Sequence, residues 1–400
     1  MANQAFIKNL NERRVLTLLR VEQRITRADI ARRLNLMRST VTNIVDSLVE
    51  RDLVSEVQQA AAPKARRQDL GRPGIDVALN ASGSYFIGVE IGVDRLRLVL
   101  VGMSLQIVRK AEFAVASGVR PEQMLKRIAE FLAKCQKSVE HPDRIRSVSV
   151  TVPGLVRNDG FIVHLPILGW KDVNFIPMAQ QKLKLPVLID NDANAAAFGE
   201  VYCNPKESRD LILFLKLADG CGGAAIIDGR LLRGTSGTAA EFGHLRVGNG
   251  GPLCGCGRRG CLEALVNVGA FHRYVADAGL PVESTPESVA QSAAAGDRRA
   301  RKVVDVYADA LARGLTSLTN LFNPSDIVLG GSLRPLPELA LARIAADVER
   351  GIVPGMALPK ISLSRNGPYE CAIGAAALAH QQEFDEASFG LGNSGLAPAK

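Results

Sequence analysis

The chain has 400 residues, 47% apolar and 22% charged, which is enough to bury a sizeable core and, on length, to form roughly two or three domains. A disulfide-stapled miniprotein and a disordered tail are excluded. The longest apolar runs, such as residues 96–103, stop well short of the ~18 residues of a bilayer span, and the N-terminus is polar, so a cytoplasmic protein without membrane contact is expected.

The formal charge is +8, and residues 1–75 hold a net +6 of it, with 14 Lys and Arg against 8 Asp and Glu. A basic stretch is often only a solvated face, but polyanion binding becomes a serious option where a DNA-binding pattern coincides with it. Residues 9–20 place Leu10, Val15, Leu16, Leu18 and Leu19 at helical spacing. Thr26 then stands as a cap before Ala28, Ile30, Ala31 and Leu34, a turn follows at 35–38, and Ser39 is expected to cap a third periodic run, Val41, Ile44, Val45, Leu48 and Val49. Three helices with a short turn before the last fit a helix-turn-helix. Arg38, Ser39, Thr40, Thr42 and Asn43 would then face double-stranded operator DNA.

After Leu53 and Val54, a basic stretch at 58–69 leads through Gly71-Arg72-Pro73 to the alternation Ile75, Val77, Leu79. This reads as two strands joined by a long loop, the wing of a winged helix. Arg72, held between a flexible Gly and a rigid Pro, suits a narrow minor groove, while Lys64, Arg66 and Arg67 suit phosphate. A small protein-binding helical domain with a loose loop is the plainer alternative.

From Tyr85 the pattern turns to strands. Residues 85–101 and 211–229 are similar, each an apolar strand, a Gly-bearing turn and a second apolar strand, which suggests a duplicated α/β domain. Between them come Pro153-Gly154 and a buried strand that delivers Asn191 and Asp192 to the start of an Ala-rich helix. Ligands of open α/β sheets bind at such strand ends, although an Asn-Asp pair can also simply cap a helix.

Of seven cysteines, Cys254, Cys256 and Cys261 crowd together behind His244, with Gly turns between them. One imidazole and three thiolates complete a tetrahedral Zn²⁺ site with no open position, so one structural zinc per chain is expected. Cys135, Cys203, Cys221 and Cys371 read as buried small hydrophobes.

At these residues the chain resembles the ROK family of repressors, open reading frames and kinases. The resemblance runs from the winged helix through Gly71-Arg72-Pro73, Pro153-Gly154, Asn191-Asp192 and the His-Cys-Cys-Cys motif followed by Glu263 to Ile327-Val-Leu-Gly330-Gly331. It implies an α/β fold with an N-terminal winged helix-turn-helix at 1–80 and a two-lobed actin-like, hexokinase-like ROK domain at 81–383. The sequence from about Gln381 is polar and Gly-rich and reads as a mobile tail, set at 384–400. The resemblance also implies a monosaccharide or sugar-phosphate effector in the cleft, touched by Gly154, Asn191, Asp192, Glu241, His244 and Glu263. Selectivity among sugars is expected in loops such as 164–170.

Family kinases carry Asp-x-Gly-Gly-Thr in the first hairpin, where this chain has Glu90-Ile-Gly92-Val93-Asp94. In the second, Asp219 stands where they have Thr. A carboxylate ~4 Å from a phosphate oxygen costs about 4 kcal/mol at an effective dielectric of ~20, so nucleotide binding is disfavoured, although Asp192 keeps the position of the catalytic base. The expected function is a sugar-responsive repressor of carbohydrate uptake or catabolism genes, a homodimer with a tetramer as the alternative. A sugar kinase with an attached DNA-binding domain, or a scaffold that recruits a partner protein, are the competing readings.

Overall fold

A computed structural model describes residues 2–57, 75–116, 118–165, 168–205 and 210–384. The N-terminal head comprises α1 (Ala2–Glu22), β1 (Ile25–Thr26), α2 (Arg27–Leu34), α3 (Arg38–Glu50), β2 (Val54–Val57) and β3 (Asp76–Leu79), with sheet order β1-β3-β2. Val15, Leu19, Ile30, Val41, Val45, Leu48 and Val77 form its core. Thr26 caps α2 as expected, its side chain accepting from the Asp29 amide. Ser39 does not cap α3. Asn35 in a left-handed conformation (φ 54°) turns the chain early, so Met37 takes the cap position and Ser39 falls inside the first turn. The antiparallel β2 and β3 form the base of the wing, whose loop, with Lys64, Arg66, Arg67 and Arg72, lies outside the described residues.

The first lobe contains β4 (Tyr85–Ile91), β5 (Arg95–Gly102), β6 (Ile107–Ala114), α4 (Pro121–Ser138), β7 (Ile145–Val152), β8 (Leu155–Val156), β9 (Ile162–Leu165), β10 (Trp170–Val173), α5 (Phe175–Leu183) and β11 (Val187–Asn191). Next comes α6 (Asp192–Tyr202), then β12 (Leu211–Leu217), β13 (Cys221–Ile227), β14 (Arg230–Leu231), α7 (Glu263–Val266), α8 (Val268–Asp277), α9 (Pro286–Ala294), α10 (Arg298–Phe322), β15 (Asp326–Gly330), α11 (Pro335–Gly351), β16 (Lys360–Leu363) and α12 (Glu370–Phe384). The main sheets run β11-β7-β4-β5-β6 and β14-β13-β12-β15-β16. Each has an antiparallel meander on one side of its central strand and two parallel strands on the other, so the duplication expected from the sequence is a duplication of topology.

Two Ala-rich helices sit between the sheets. α6 packs through Ala196 and Ala197 on Ile212, Phe214, Ala224 and Ile226, and α12 packs through Ala372, Ala376 and Ala379 on Phe86, Val99 and Val101. Where they cross, a Cβ on Gly199 would lie 2.8 Å from Gly374 Cα, and one on Gly374 would lie 1.8 Å from Ala195 O. The polar look of the sequence after residue 381 suggested a loose tail, but α12 continues to Phe384, which is buried with Met103 among the head's core residues. Residues 385–400 lie outside the described part. Cys135, Cys221 and Cys371 are buried as expected, and Cys203 is half-buried. No helix among the described residues is long and apolar enough to cross a membrane.

His380, on α12, is fully buried between Tyr202 Oη (3.0 Å from Nδ1) and Met103 O (2.8 Å from Nε2). Burial pushes its pKa from 6.5 down to about 3. Between these values the unfolded chain binds a proton that the folded chain does not, so the ring's contribution is complete above pH 6.5 and is lost as pH falls toward 3. In urea unfolding, the stability advantage of wild type over the non-titrating His380→Gln should shrink by about 1.4 kcal/mol per pH unit as pH drops from ~7 to ~5. An advantage independent of pH would contradict a neutral buried ring.

Candidate functional site

The end of β11 hands the chain directly to α6. Asn191 caps α6, its Oδ1 accepting from the Ala193 and Asn194 amides at 2.8 and 3.1 Å, and its Nδ2 donates to Gly154 O at 3.1 Å. Gly154 is glycine because a Cβ there would lie 2.6 Å from His164 O on the neighbouring strand. Asp190 supports the corner, holding Asn194 Nδ2 at 3.1 Å and Arg233 at 2.6 Å.

Asp192 is buried, and its Oδ2 lies 2.5 Å from Lys216 Nζ, which also donates to Glu90 Oε1 at 3.1 Å. Glu90 comes from β4 in the first sheet and Lys216 from β12 in the second, so the ammonium ties both lobes to the start of α6. Burial would lower the lysine pKa, but the Asp192 and Glu90 carboxylates outweigh it and hold the group charged. Lys216 was missed in the sequence, where its signal was a single charge within the apolar strand Leu-Ile-Leu-Phe-Leu-Lys-Leu. At the start of α12, burial pushes the Glu370 pKa up to about 7, and its Oε1 accepts from the Gly331 amide at 2.7 Å.

The two hairpin turns lie close enough for their carboxylates to interact. Asp219, at the second turn, is held above the usual carboxylate range by partial burial and by Asp94 from the first. Two glycines at the start of β13 are used in packing: a Cβ on Gly222 would meet Ala193 Cβ at 2.9 Å, and one on Gly223 would meet Ala240 O at 2.2 Å.

His244, Cys254, Cys256 and Cys261 converge, with all four ligand atoms within 4.8 Å of one another. The separation between Cys256 and Cys261 Sγ is 3.7 Å, and that between Cys254 Sγ and His244 Nδ1 is 3.6 Å. Metal–sulfur bonds of about 2.3 Å at tetrahedral angles give edges of about 3.8 Å, so the four residues fit a tetrahedral ion. The Arg258 amide lowers the pKa of Cys256, favouring the thiolate. With Nδ1 in the cluster, His244 Nε2 points to Glu241 Oε2, 4.0 Å away. Glu241 is raised by burial and by Glu263 and Asp192, against the pull of His244. Glu263 connects the cluster to the hairpin, its Oε2 accepting from the Cys221 amide at 3.2 Å and its Oε1 from Cys254 Sγ at 3.2 Å. Asp192, Glu241, His244 and Glu263 are thus electrostatic or hydrogen-bonded neighbours, while Gly154 and Asn191 bind each other as part of the wall.

On the head, Arg38, Ser39, Thr42 and Asn43 are exposed on α3, whereas Thr40 is half-buried. Thr42 Oγ1 is engaged with Arg38 O at 3.0 Å, which leaves Asn43 as the free amide of the exposed face.

The ROK family model matches residues 86–382, and the MarR family model matches 8–59, the helix-turn-helix. The chain belongs to the ROK family. It is similar to the xylose repressor of Caldicellulosiruptor bescii, 28% identical over 94% of this chain and 97% of the relative. Among solved structures, a ROK transcriptional regulator described as a homologue of the E. coli Mlc protein superposes with a TM-score of 0.77 at 24% identity, covering 95% of this chain and 98% of that one. A ROK glucokinase from Streptomyces griseus, solved with glucose and AMPPNP, matches at 0.67 and 28% identity over 74% of this chain and 100% of its own. The winged head joined to a kinase-like fold, as expected from the sequence, is therefore shared with ROK regulators, and the two-lobed part with ROK kinases.

Purified protein should hold about one tightly bound metal ion per chain, and Cys256→Ser should release it, as read by elemental analysis. Full metal content in Cys256→Ser would show that the cluster is not the ligand set.

Proposed function

We propose that this chain is a sugar-responsive transcriptional repressor of the ROK family, binding operator DNA as a homodimer and leaving it when a sugar enters the cleft. The observation that carries this reading is the match to a xylose repressor over both the DNA-binding head and the sugar-cleft domain. Asp192, Glu241, Glu263 and His244 Nε2 supply the polar groups that meet sugar hydroxyls, with Asn191 and Gly154 shaping the wall against which the ring lies. A sugar lacking one of these hydroxyls leaves a buried polar group unpaired, which is the source of selectivity. Zinc suits the three-thiolate, one-imidazole donor set, and by holding His244 through Nδ1 it fixes the direction in which Nε2 faces the sugar.

A kinase is the second reading, favoured by Asp192 standing where ROK kinases keep their base. Against it, Asp94 and Asp219 stand at the positions that the resemblance assigns to the phosphate loops, and their carboxylates would oppose the charge of a nucleotide. Gly222 and Gly223 of the second hairpin are accounted for by packing.

The two readings part at Asp192. In a sensor, Asp192→Asn impairs binding of D-xylose or D-glucose in calorimetry while operator affinity without sugar stays near wild type. In a kinase, it spares sugar affinity and abolishes sugar-dependent ATP consumption. Wild-type ATP turnover that disappears in Asp192→Asn would overturn the repressor-only reading.

On the DNA side, Asn43→Ala should relax discrimination at one base position by roughly 1–3 kcal/mol in a binding-site selection. A uniform loss over all sequences would count against base readout by α3.

A further inference from the structure

The head rests on the opposite end of the helix that begins in the sugar cleft. α6 starts at Asp192 and ends at Tyr202, a span of 11 residues or about 16 Å. At its far end, Arg20 of α1 donates from Nη1 to Tyr202 O at 2.7 Å, and its guanidinium carbon stands 4.0 Å above the Tyr202 ring centroid. Tyr202 is backed in turn by His380, on which Phe384 is stacked at 4.4 Å. The head therefore grips α6 and α12 together, at the ends remote from the cleft.

A second contact lies near the covalent connection, where Arg144 of the first lobe pairs with Asp52 of the head at 2.7 Å and also donates to Ser82 O. The two contacts are unlike. The Arg144 contact joins the head to the lobe that carries it and can act as a pivot. The Arg20 contact joins the head to the helix whose first residues line the cleft. Arg20 Nε is buried without a hydrogen-bond partner, so the docked position carries a desolvation cost.

We propose that α6 transmits occupancy of the cleft to the DNA-binding head, and that Arg20 and Tyr202 are the positioning residues through which it does so. This rests on the reading of the chain as a sugar-responsive repressor. α6 is packed too closely against α12 at Gly199 and Gly374 to bend there, so a shift of Asn191 and Asp192 as the cleft closes reaches Tyr202 as a rigid displacement. A few ångströms at Arg20, levered about Arg144, are enough to take the paired recognition helices out of the spacing of about 34 Å that two half-sites demand.

The test uses full-length protein and a duplex that it selects from a random pool, with D-xylose and D-glucose as the sugars. In wild type the responding sugar should weaken duplex binding by about 5- to 150-fold, and the duplex should weaken sugar binding by the same factor. In Arg20→Met this ratio should fall below about 2-fold, with calorimetric sugar affinity in the absence of DNA unchanged. Arg20→Gln, which keeps a donor for Tyr202 O but loses the cation, reads the same ratio should the Met variant fold poorly, and it should lie between the two. Tyr202→Phe keeps the ring under Arg20 and should retain most of the response. A merely structural Arg20 would change duplex affinity equally with and without sugar, and a preserved wild-type ratio in both Arg20 variants would overturn the proposal. A wild type that neither sugar releases from the duplex would overturn the repressor reading itself, and the relay with it.

Discussion

The architecture depends on one close approach, the crossing of α6 and α12 with only Gly199, Gly374 and the Ala195 backbone between them. Packing at this distance leaves no room for side chains, so the relative position of the two sheets is set by helix backbones, which are stiff, rather than by rotamers, which adjust. The alanines around the crossing follow from the same restriction, since each helix must lie on a sheet with one face and on its neighbour with another. The Glu90–Lys216–Asp192 cluster stands at the start of α6, and the head docks at its far end.

Charge complements this packing. The Glu90–Lys216–Asp192 chain spans both sheets and the start of α6 in a region where desolvation is expensive, and it survives because each carboxylate has a cation and the ammonium has two carboxylates. Arg97 completes the arrangement from the neighbouring strand at 3.4 Å from Glu90. Such a network contributes little net stability compared with an apolar filling, but it admits few geometries. It fixes where the Asp192 carboxylate sits at the start of α6.

Much of this was legible in the sequence where the determining contact is local. The Thr26 cap, the wing strands, the topology repeated after residue 211 and the His-Cys-Cys-Cys cluster are encoded by residues close together in the chain. What escaped depends on distant partners. Ser39 has the composition of a cap, yet the left-handed Asn35 starts the next helix before it. The polar end of α12 is helical because the head supplies an apolar partner for Phe384 from residues hundreds of positions earlier. Lys216 is meaningful only beside Glu90 and Asp192, which arrive from other strands. The hydrogen bond from Asn191 Nδ2 to Gly154 O likewise joins residues that are 37 positions apart.

The glycines of the second hairpin have a consequence for how such chains are classified. Gly222 and Gly223 leave room for α6 and for the segment before Phe242, and a Cβ on Gly243 would lie 2.1 Å from Cys221 O. These are demands of chain crossing, and they hold whether or not a nucleotide ever visits. A descendant that abandoned phosphoryl transfer would be free to replace the hydroxyls and carboxylates around the hairpin while its glycines stayed pinned. In this architecture, glycine spacing therefore records ancestry of fold, and the residues between the glycines record chemistry.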